Sequence, residues 1–275
     1  MPTRNIDPKT CVIRDTAKYA GRTRTVTPET SATRQLHYGR IVLGPADAPV
    51  VVDPGSHETG LIALKGGGTV VVGPARYDMI PYDALYVPSH TIFEVSPGPG
   101  GFDLAELSAH VDGRYPVQFV RFDDVQKDAG LHFRTGGPNA EREVNLLIAK
   151  NVTAGRIMAG VTFSDAGNWT SWPPHEHTEM LEEAYLYVAM PPPAFGVQLV
   201  YGEAGEPELA VIVREGDVVV MPQGYHPNVA APGCRIGFVW MMAAHREGVD
   251  RQFGVVNVQP EFAGLGSGLD KGRAR

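Results

Sequence analysis

The sequence predicts an all-β protein built as two similar tandem β-barrels. Three observations carry this. Gly 32 and Pro 23 are roughly 12% and 8% of the chain, against average usages of about 7% and 5%. They are scattered, which reads as many turns and not as a low-complexity tail. Between them lie short runs rich in β-branched and aromatic residues, the pattern of short strands. Finally, a faint internal repeat is visible. Asp83-Ala-Leu-Tyr-Val-Pro88 parallels Asp217-Val-Val-Val-Met-Pro222, and a histidine follows each, His90 or His226.

Residues 1–30 are polar and rich in Thr and Arg, and read as an arm or edge strand. A first barrel without metal is expected over 31–111, with strands at Arg40–Leu43, Leu61–Leu64, Thr69–Val72, Asp83–Val87 and Ile92–Val95. Lys65–Gly68 reads as a turn, and Ser96–Gly101 as the clearest loop of this half. Asp103–His110 suits either a strand or a short helix. Residues 112–145 read as a connecting segment. A second, metal-binding barrel is expected over 146–252, with strands at Met158–Phe163, Glu183–Tyr187, Gly196–Tyr201, Leu209–Val213 and Arg235–Met242, and a hairpin turn at Glu203–Glu208. The tail, 253–275, is expected to fray.

Net charge is −7 and the sequence pI is about 5.7. That balance argues against a nucleic-acid partner, which calls for a basic patch, and leaves room for a small anion held by a local arginine. Cys11 and Cys234 form neither a CxxC pair nor a disulfide framework. No run approaches the roughly 20 apolar residues of a membrane span, and the N-terminus lacks a signal-peptide core. A cytoplasmic location is expected. Apolar strand faces on two barrels make a homo-oligomer the expected assembly.

The chemistry concentrates at Pro173-Pro-His175-Glu-His177. Two histidines at i and i+2 on a strand share one face. Glu182 and Glu183 follow on the next strand, where neighbours face opposite sides, so one of the two can join them. His226 closes the later segment Gly216–His226. Three imidazoles and a carboxylate with open positions suit a catalytic divalent metal. Tyr185, Tyr187, Gln198 and Tyr201 are either cavity-lining residues or ordinary barrel filling. Arg142 is either a bidentate carboxylate partner or a salt-bridge residue.

HxH, then Glu, then Gly-x5-Pro-x-Gly-x-His resembles the two motifs of the cupin superfamily. The likeness is closer to the two-cupin uronate isomerases, which include 5-deoxy-glucuronate isomerase and 5-dehydro-4-deoxy-glucuronate isomerase. Asn168–His177 is similar to N-W-S-S-x-P-P-H-x-H, Leu181–Tyr185 to L-E-E-V-Y, and Pro191–Tyr201 to P-P-Q-G-F-G-x-Q-x-V-Y. Gly224–Pro227, Ala230–Gly233 and the stretch around Arg142 also match. There are three departures, of which the first two bear on the substrate. The spacer between His177 and the glutamates is short, Glu141 stands where the family has arginine, and the tail lacks the family's Asp-His-Ala-Trp-like ending.

The resemblance implies a bicupin that isomerises a deoxy-uronic acid between aldose and ketose, through an enediolate stabilised by the metal. The nearer branch is that of inositol catabolism, 5-deoxy-glucuronate to 5-dehydro-2-deoxy-gluconate. His175, His177, Glu183 and His226 would hold the metal, zinc first, with manganese, iron and nickel as alternatives. Glu182, Tyr187 and Tyr201 are the catalytic candidates by residue type, and Arg142, Tyr185 and Gln198 the substrate-binding ones. Other classes stay open: an isomerase or lyase on another sugar acid, an Fe(II)-dependent dioxygenase, and a non-catalytic sugar-binding cupin.

Overall fold

The computed structural model describes residues 5–202 and 208–269. The expected hairpin turn at Glu203–Glu208 lies, apart from Glu208, outside them. The chain is all-β. A four-residue helix, α1 (Pro8–Cys11), leads into β1 (Val12–Ile13) and β2 (Gly21–Val26), followed by β3 (His37–Leu43), β4 (Val50–Val52), β5 (His57–Val72), β6 (Ala75–Met79), β7 (Ala84–Val87), β8 (Phe93–His110) and β9 (Gln118–Val120). A second short helix, α2 (Phe122–Val125), precedes β10 (His132–Thr135), β11 (Arg142–Ile148) and β12 (Ile157–Ser164). Then come β13 (Trp169–Thr170), β14 (His175–Glu176), β15 (Leu181–Val188), β16 (Gly196–Val200), β17 (Leu209–Val213), β18 (Val218–Met221), β19 (Asn228–Ala230), β20 (Gly237–Ala244) and β21 (Asn257–Val258). A 3-10 helix over Pro260–Leu265 follows. No helix among the described residues is long and apolar enough to cross a membrane.

The first sheet runs β2-β3-β8-β5-β7-β9, with β4 on β8 and β6 on β5. The second half has a seven-stranded sheet, β1-β18-β15-β20-β12-β11-β10, and a four-stranded one, β13-β19-β16-β17. Two expectations fail in an instructive way. Lys65–Gly68 and Ser96–Gly101 are not chain reversals. They lie inside the long strands β5 and β8, which stay paired across them with register shifts. Glycine allows the two backbones to close up there: a Cβ on Gly68 would meet the Ser96 carbonyl oxygen at 2.3 Å. Asp103–His110 is strand. The tail is docked as far as Leu269, with Asn257–Val258 pairing onto His175–Glu176.

The internal repeat has a chemical basis. Asp83 accepts the amide of Ile80 and Asp217 accepts that of Arg214, each capping the turn three residues back. The strands that follow, β7 and β18, pair with β5 and β15 in matching register: Val87 lies opposite Thr59, and Met221 opposite Glu183. The likeness ends at the proline. His90 is exposed in a turn, whereas His226 is buried.

The halves share one apolar layer. Ile62, Tyr86 and Leu107 of the first belong to the same core cluster as Leu146, Ile148 and Val161 of the second. A Cβ on Gly60 would meet Leu107 at 2.7 Å and Ile148 at 2.8 Å, so this contact needs glycine. Two buried carboxylates cross the seam reciprocally. Glu58, on β5, accepts the amides of Gly155, Arg156 and Ile157 at 2.6–2.8 Å, and the Tyr86 hydroxyl at 2.6 Å. Glu182, on β15, accepts the amides of Arg34, Gln35 and Leu36 at 2.6–2.7 Å. Each satisfies three backbone donors that an apolar seam leaves unpaired.

Glu58→Gln keeps the shape but turns an NH2 toward donors. It is expected to lower unfolding free energy by about 3 kcal/mol or more, read as a fall in the urea midpoint at unchanged slope. The exposed Asp124→Asn is expected to stay within about 0.5 kcal/mol of the parent.

Candidate metal centre

His175 sits on β14, His177 in the turn after it, Glu183 on β15 and His226 just before β19. All four side chains are buried. Each imidazole donates its Nδ1–H to a backbone carbonyl: His175 to Pro173 at 2.9 Å, His177 to Leu181 at 3.2 Å and His226 to Gly224 at 2.9 Å. That choice of tautomer leaves each Nε2 with a bare lone pair. Nε2 of His177 lies 3.0 Å and Nε2 of His226 3.1 Å from the same oxygen, Oε2 of Glu183. The His226 Nε2 is buried with no hydrogen-bond partner.

Lone pairs facing a buried carboxylate repel unless a positive charge stands among them. A proton serves in the metal-free protein. Burial pulls the His177 imidazole down, but the Glu183 hydrogen bond outweighs it and raises its pKa. Burial pushes Glu183 up, yet the His177 hydrogen bond and the nearby His226 imidazole hold it at about 2. His175 is driven down to about 3 by burial and by neighbouring His226, which keeps it neutral and able to ligate. The Nε2 atoms of His177 and His226 stand 3.0 and 3.1 Å from Glu183 Oε2, close to the separations of ligands about 2.0–2.2 Å from one ion. The residues therefore fit a divalent metal, and each Nδ1 contact fixes ring orientation from outside. His175 stands beside this set, its ring 5.2 Å from that of His226.

His175 and Glu183 open onto a cavity also lined by Arg142, Ser171 and Tyr185. Arg142 is 2% exposed. Its Nη1 donates to the Ala140 carbonyl, and its Nη2 has no partner. Burial pulls the guanidinium down to about 10. The Tyr185 hydroxyl meets Ser171 Oγ at 2.7 Å, and burial raises it well above the usual phenol range. Phe238, Trp240 and Met242 form the apolar wall, and Phe253 and Leu269 bring the C-terminal tail to the cavity.

The other candidates lie elsewhere. Glu182 points to the opposite face of β15, where it holds the first half's backbone and not a substrate. Tyr187 donates to Gln198 Oε1 at 2.6 Å and accepts from Asn228. Gln198 donates to the carbonyls of His226 and Pro227. Both are therefore spent behind His226, holding its backbone. Tyr201 donates to Gln259 Oε1, which ties down the tail. Ser171 and the tail residues were not legible in the sequence. The cue for Ser171 was its place just before the Pro-Pro lead-in, and Phe253 and Leu269 offered none.

Residues 12–258 match the KduI/IolB family. The chain is 30% identical over 203 residues to the 5-deoxy-glucuronate isomerase of Geobacillus thermodenitrificans (strain NG80-2), covering 68% of this chain and 72% of that one. It is 25% identical over 200 residues to that of Bacillus subtilis (strain 168), covering 66% and 72%. Among solved structures, an IolB-like protein from Salmonella typhimurium LT2 superposes with a TM-score of 0.81 at 21% identity, over 93% of this chain and 98% of that one. Oxalate decarboxylase of Bacillus subtilis, described with Mn(II) centres, gives 0.63 at 10% identity over 87% and 79%. At those identities the two structures speak for the fold alone.

Zinc added to chelator-stripped protein is expected to raise the melting temperature, since ligand at 1,000 times its Kd stabilises by about 4 kcal/mol. His226→Ala is expected to abolish that rise, as followed by scanning calorimetry.

Proposed function

The chain belongs to the KduI/IolB family, and on that premise we propose that it is a metal-dependent aldose–ketose isomerase of a deoxy-uronic acid, 5-deoxy-glucuronate to 5-dehydro-2-deoxy-gluconate. It is an enzyme of the isomerase class, as its relatives are. The observation that carries the substrate reading is Arg142. A buried guanidinium with an unpartnered Nη2 faces the same cavity as His175 and Glu183. A sugar acid offers a carboxylate for the one and a carbonyl with an adjacent hydroxyl for the other.

His175, His177, Glu183 and His226 would hold the metal, zinc by preference. When bound, it supplies Lewis-acid polarisation to the carbonyl and hydroxyl oxygens. Arg142 anchors the carboxylate and so sets which carbons face the centre. The isomerisation removes a proton from C2 and delivers one to C1, while the O2 hydroxyl proton passes to O1. Tyr185, kept a neutral phenol by burial and joined to Ser171, is placed to hand protons to and from those oxygens. Phe238, Trp240, Phe253 and Leu269 exclude water from the cavity. The two sheet systems are read as two cupin barrels, the protein as a cytoplasmic homo-oligomer, and its setting as inositol catabolism.

An NMR time course with 5-deoxy-glucuronate tests the reading. Conversion to 5-dehydro-2-deoxy-gluconate that stops with chelator and resumes with metal is expected. No conversion by metal-replete protein sinks that substrate. Arg142→Met is expected to lower kcat/KM roughly 10- to 100-fold, chiefly through KM, from the loss of charge-assisted hydrogen bonds. An unchanged KM removes Arg142 from the carboxylate site.

A further inference from the structure

The first sheet carries a cluster of polar side chains at the place that corresponds to the metal centre. Thr59 pairs with Val87 and with Ser108. Glu183 pairs with Met221 and with Met242. Val87-Pro88 and Met221-Pro222 are matching ends of the repeat, so Thr59 stands where Glu183 stands, on the strand position after the seam carboxylate. Residues opposite one another in a sheet share a face. His37 lies opposite Ser108, and His57 opposite His110, two residues along the same face. The rings of His37 and His57 are 4.8 Å apart, and those of His57 and His110 6.1 Å.

This face turns away from the other half. Its apolar continuation, Leu61, Ala63 and Leu104, forms a separate core, whereas Ile62 and Leu107 on the reverse face pack against the second half. Among the described residues, seven buried side-chain polar atoms lack a hydrogen-bond partner. Thr59 Oγ1, Ser108 Oγ and His37 Nδ1 are three of them, gathered on adjoining positions of this one face. Thr59 is 0% and Ser108 1% exposed. Unpaired buried polar atoms are rare and each calls for a partner.

Charge narrows what that partner is. Arg22 grips Glu106 with two bonds of 2.7 Å, and Arg24 approaches the same carboxylate at 3.3 Å. Two guanidiniums against one buried carboxylate leave a positive charge beside the cluster, and the exposed Glu29 is the other carboxylate that His37 senses. Burial, with His57 and Arg24 nearby, drives His37 down to about 4, and burial likewise lowers His57. Neutral imidazoles both donate and accept, as hydroxyl partners must. The position of Glu183 is taken here by Thr59, and the carboxylate on this face, Glu106, is held by Arg22, so no free carboxylate of this face is left to join the imidazoles around a metal. We propose that His37, His57, Thr59, Ser108 and Arg24 form a second binding site, for a small hydroxylated carboxylic acid, independent of the metal centre. Its carboxylate meets Arg24, and its hydroxyls meet Thr59, Ser108 and the two imidazoles.

The test is a titration of chelator-stripped protein with D-glucuronate, followed by imidazole 1H–15N correlation spectra. Saturable shifts of His37 and His57 are expected, distinct from any at His175, His177 or His226. Arg24→Gln at the exposed rim and the isosteric Thr59→Val are each expected to weaken that binding by about tenfold or more. The absence of saturable shifts at His37 and His57 overturns the proposal. So do shifts that persist unchanged in both variants, and shifts that Zn2+ alone reproduces, which mark a metal site instead.

Discussion

Two buried carboxylates stand side by side on β15, and the pleat of that strand sends them to opposite faces. Glu182 reaches across the seam to three backbone amides of the first half, and Glu183 turns inward to His177 and His226. Each is 1% exposed. Neither is affordable alone in that environment, because a buried carboxylate needs donors or a cation. The register of one strand thus sets both the packing of the halves and the position of the candidate metal ligand. A slip by one residue exchanges their environments and leaves both unsatisfied. The first half repeats the device with Glu58 at the seam and a hydroxyl, Thr59, in the inward place.

The candidate centre is preorganised by its own hydrogen bonds. Three backbone carbonyls take the Nδ1–H groups, so three Nε2 lone pairs remain for ligation. Tyr187, Gln198 and Asn228 hold the His226 segment from behind through hydrogen bonds that use their polar groups. These residues act on position alone. The cavity side is built differently: Arg142 keeps a free donor there, and the tail contributes Phe253 and Leu269 to the wall. One side of the centre is rigidly satisfied, and the other retains unspent polar capacity, the arrangement expected where a substrate enters.

Much of this was legible from residue types and spacing. HxH, the paired glutamates and Pro-x-Gly-x-His are local patterns whose geometry follows from strand periodicity, and the Asp–Pro repeat marked two related strands. The roles of Glu182, Tyr187, Gln198 and Tyr201 were not legible. Each depends on a partner distant in sequence: Glu182 on residues 34–36, Gln198 on the His226 carbonyl, Tyr201 on Gln259. Their chemistry is compatible with catalysis, and only the topology shows their groups already engaged. Lys65–Gly68 and Ser96–Gly101 misled for a related reason. Glycine and proline mark a reversal in isolation, but two such segments facing each other make a bent, still-paired ladder. The docked tail was hidden because its anchors, Trp172–Phe262 and Trp240–Phe253, join segments that share no periodic pattern.

The division of labour between adjacent carboxylates is the claim on which the rest stands. It is tested most directly by measuring bound metal per chain, by inductively coupled plasma mass spectrometry, in Glu183→Gln and Glu182→Gln alongside their melting curves. The account predicts that Glu183→Gln loses the metal while its stripped form melts close to stripped parent protein. Glu182→Gln keeps the metal and melts markedly lower. Metal retained by Glu183→Gln and lost from Glu182→Gln contradicts it.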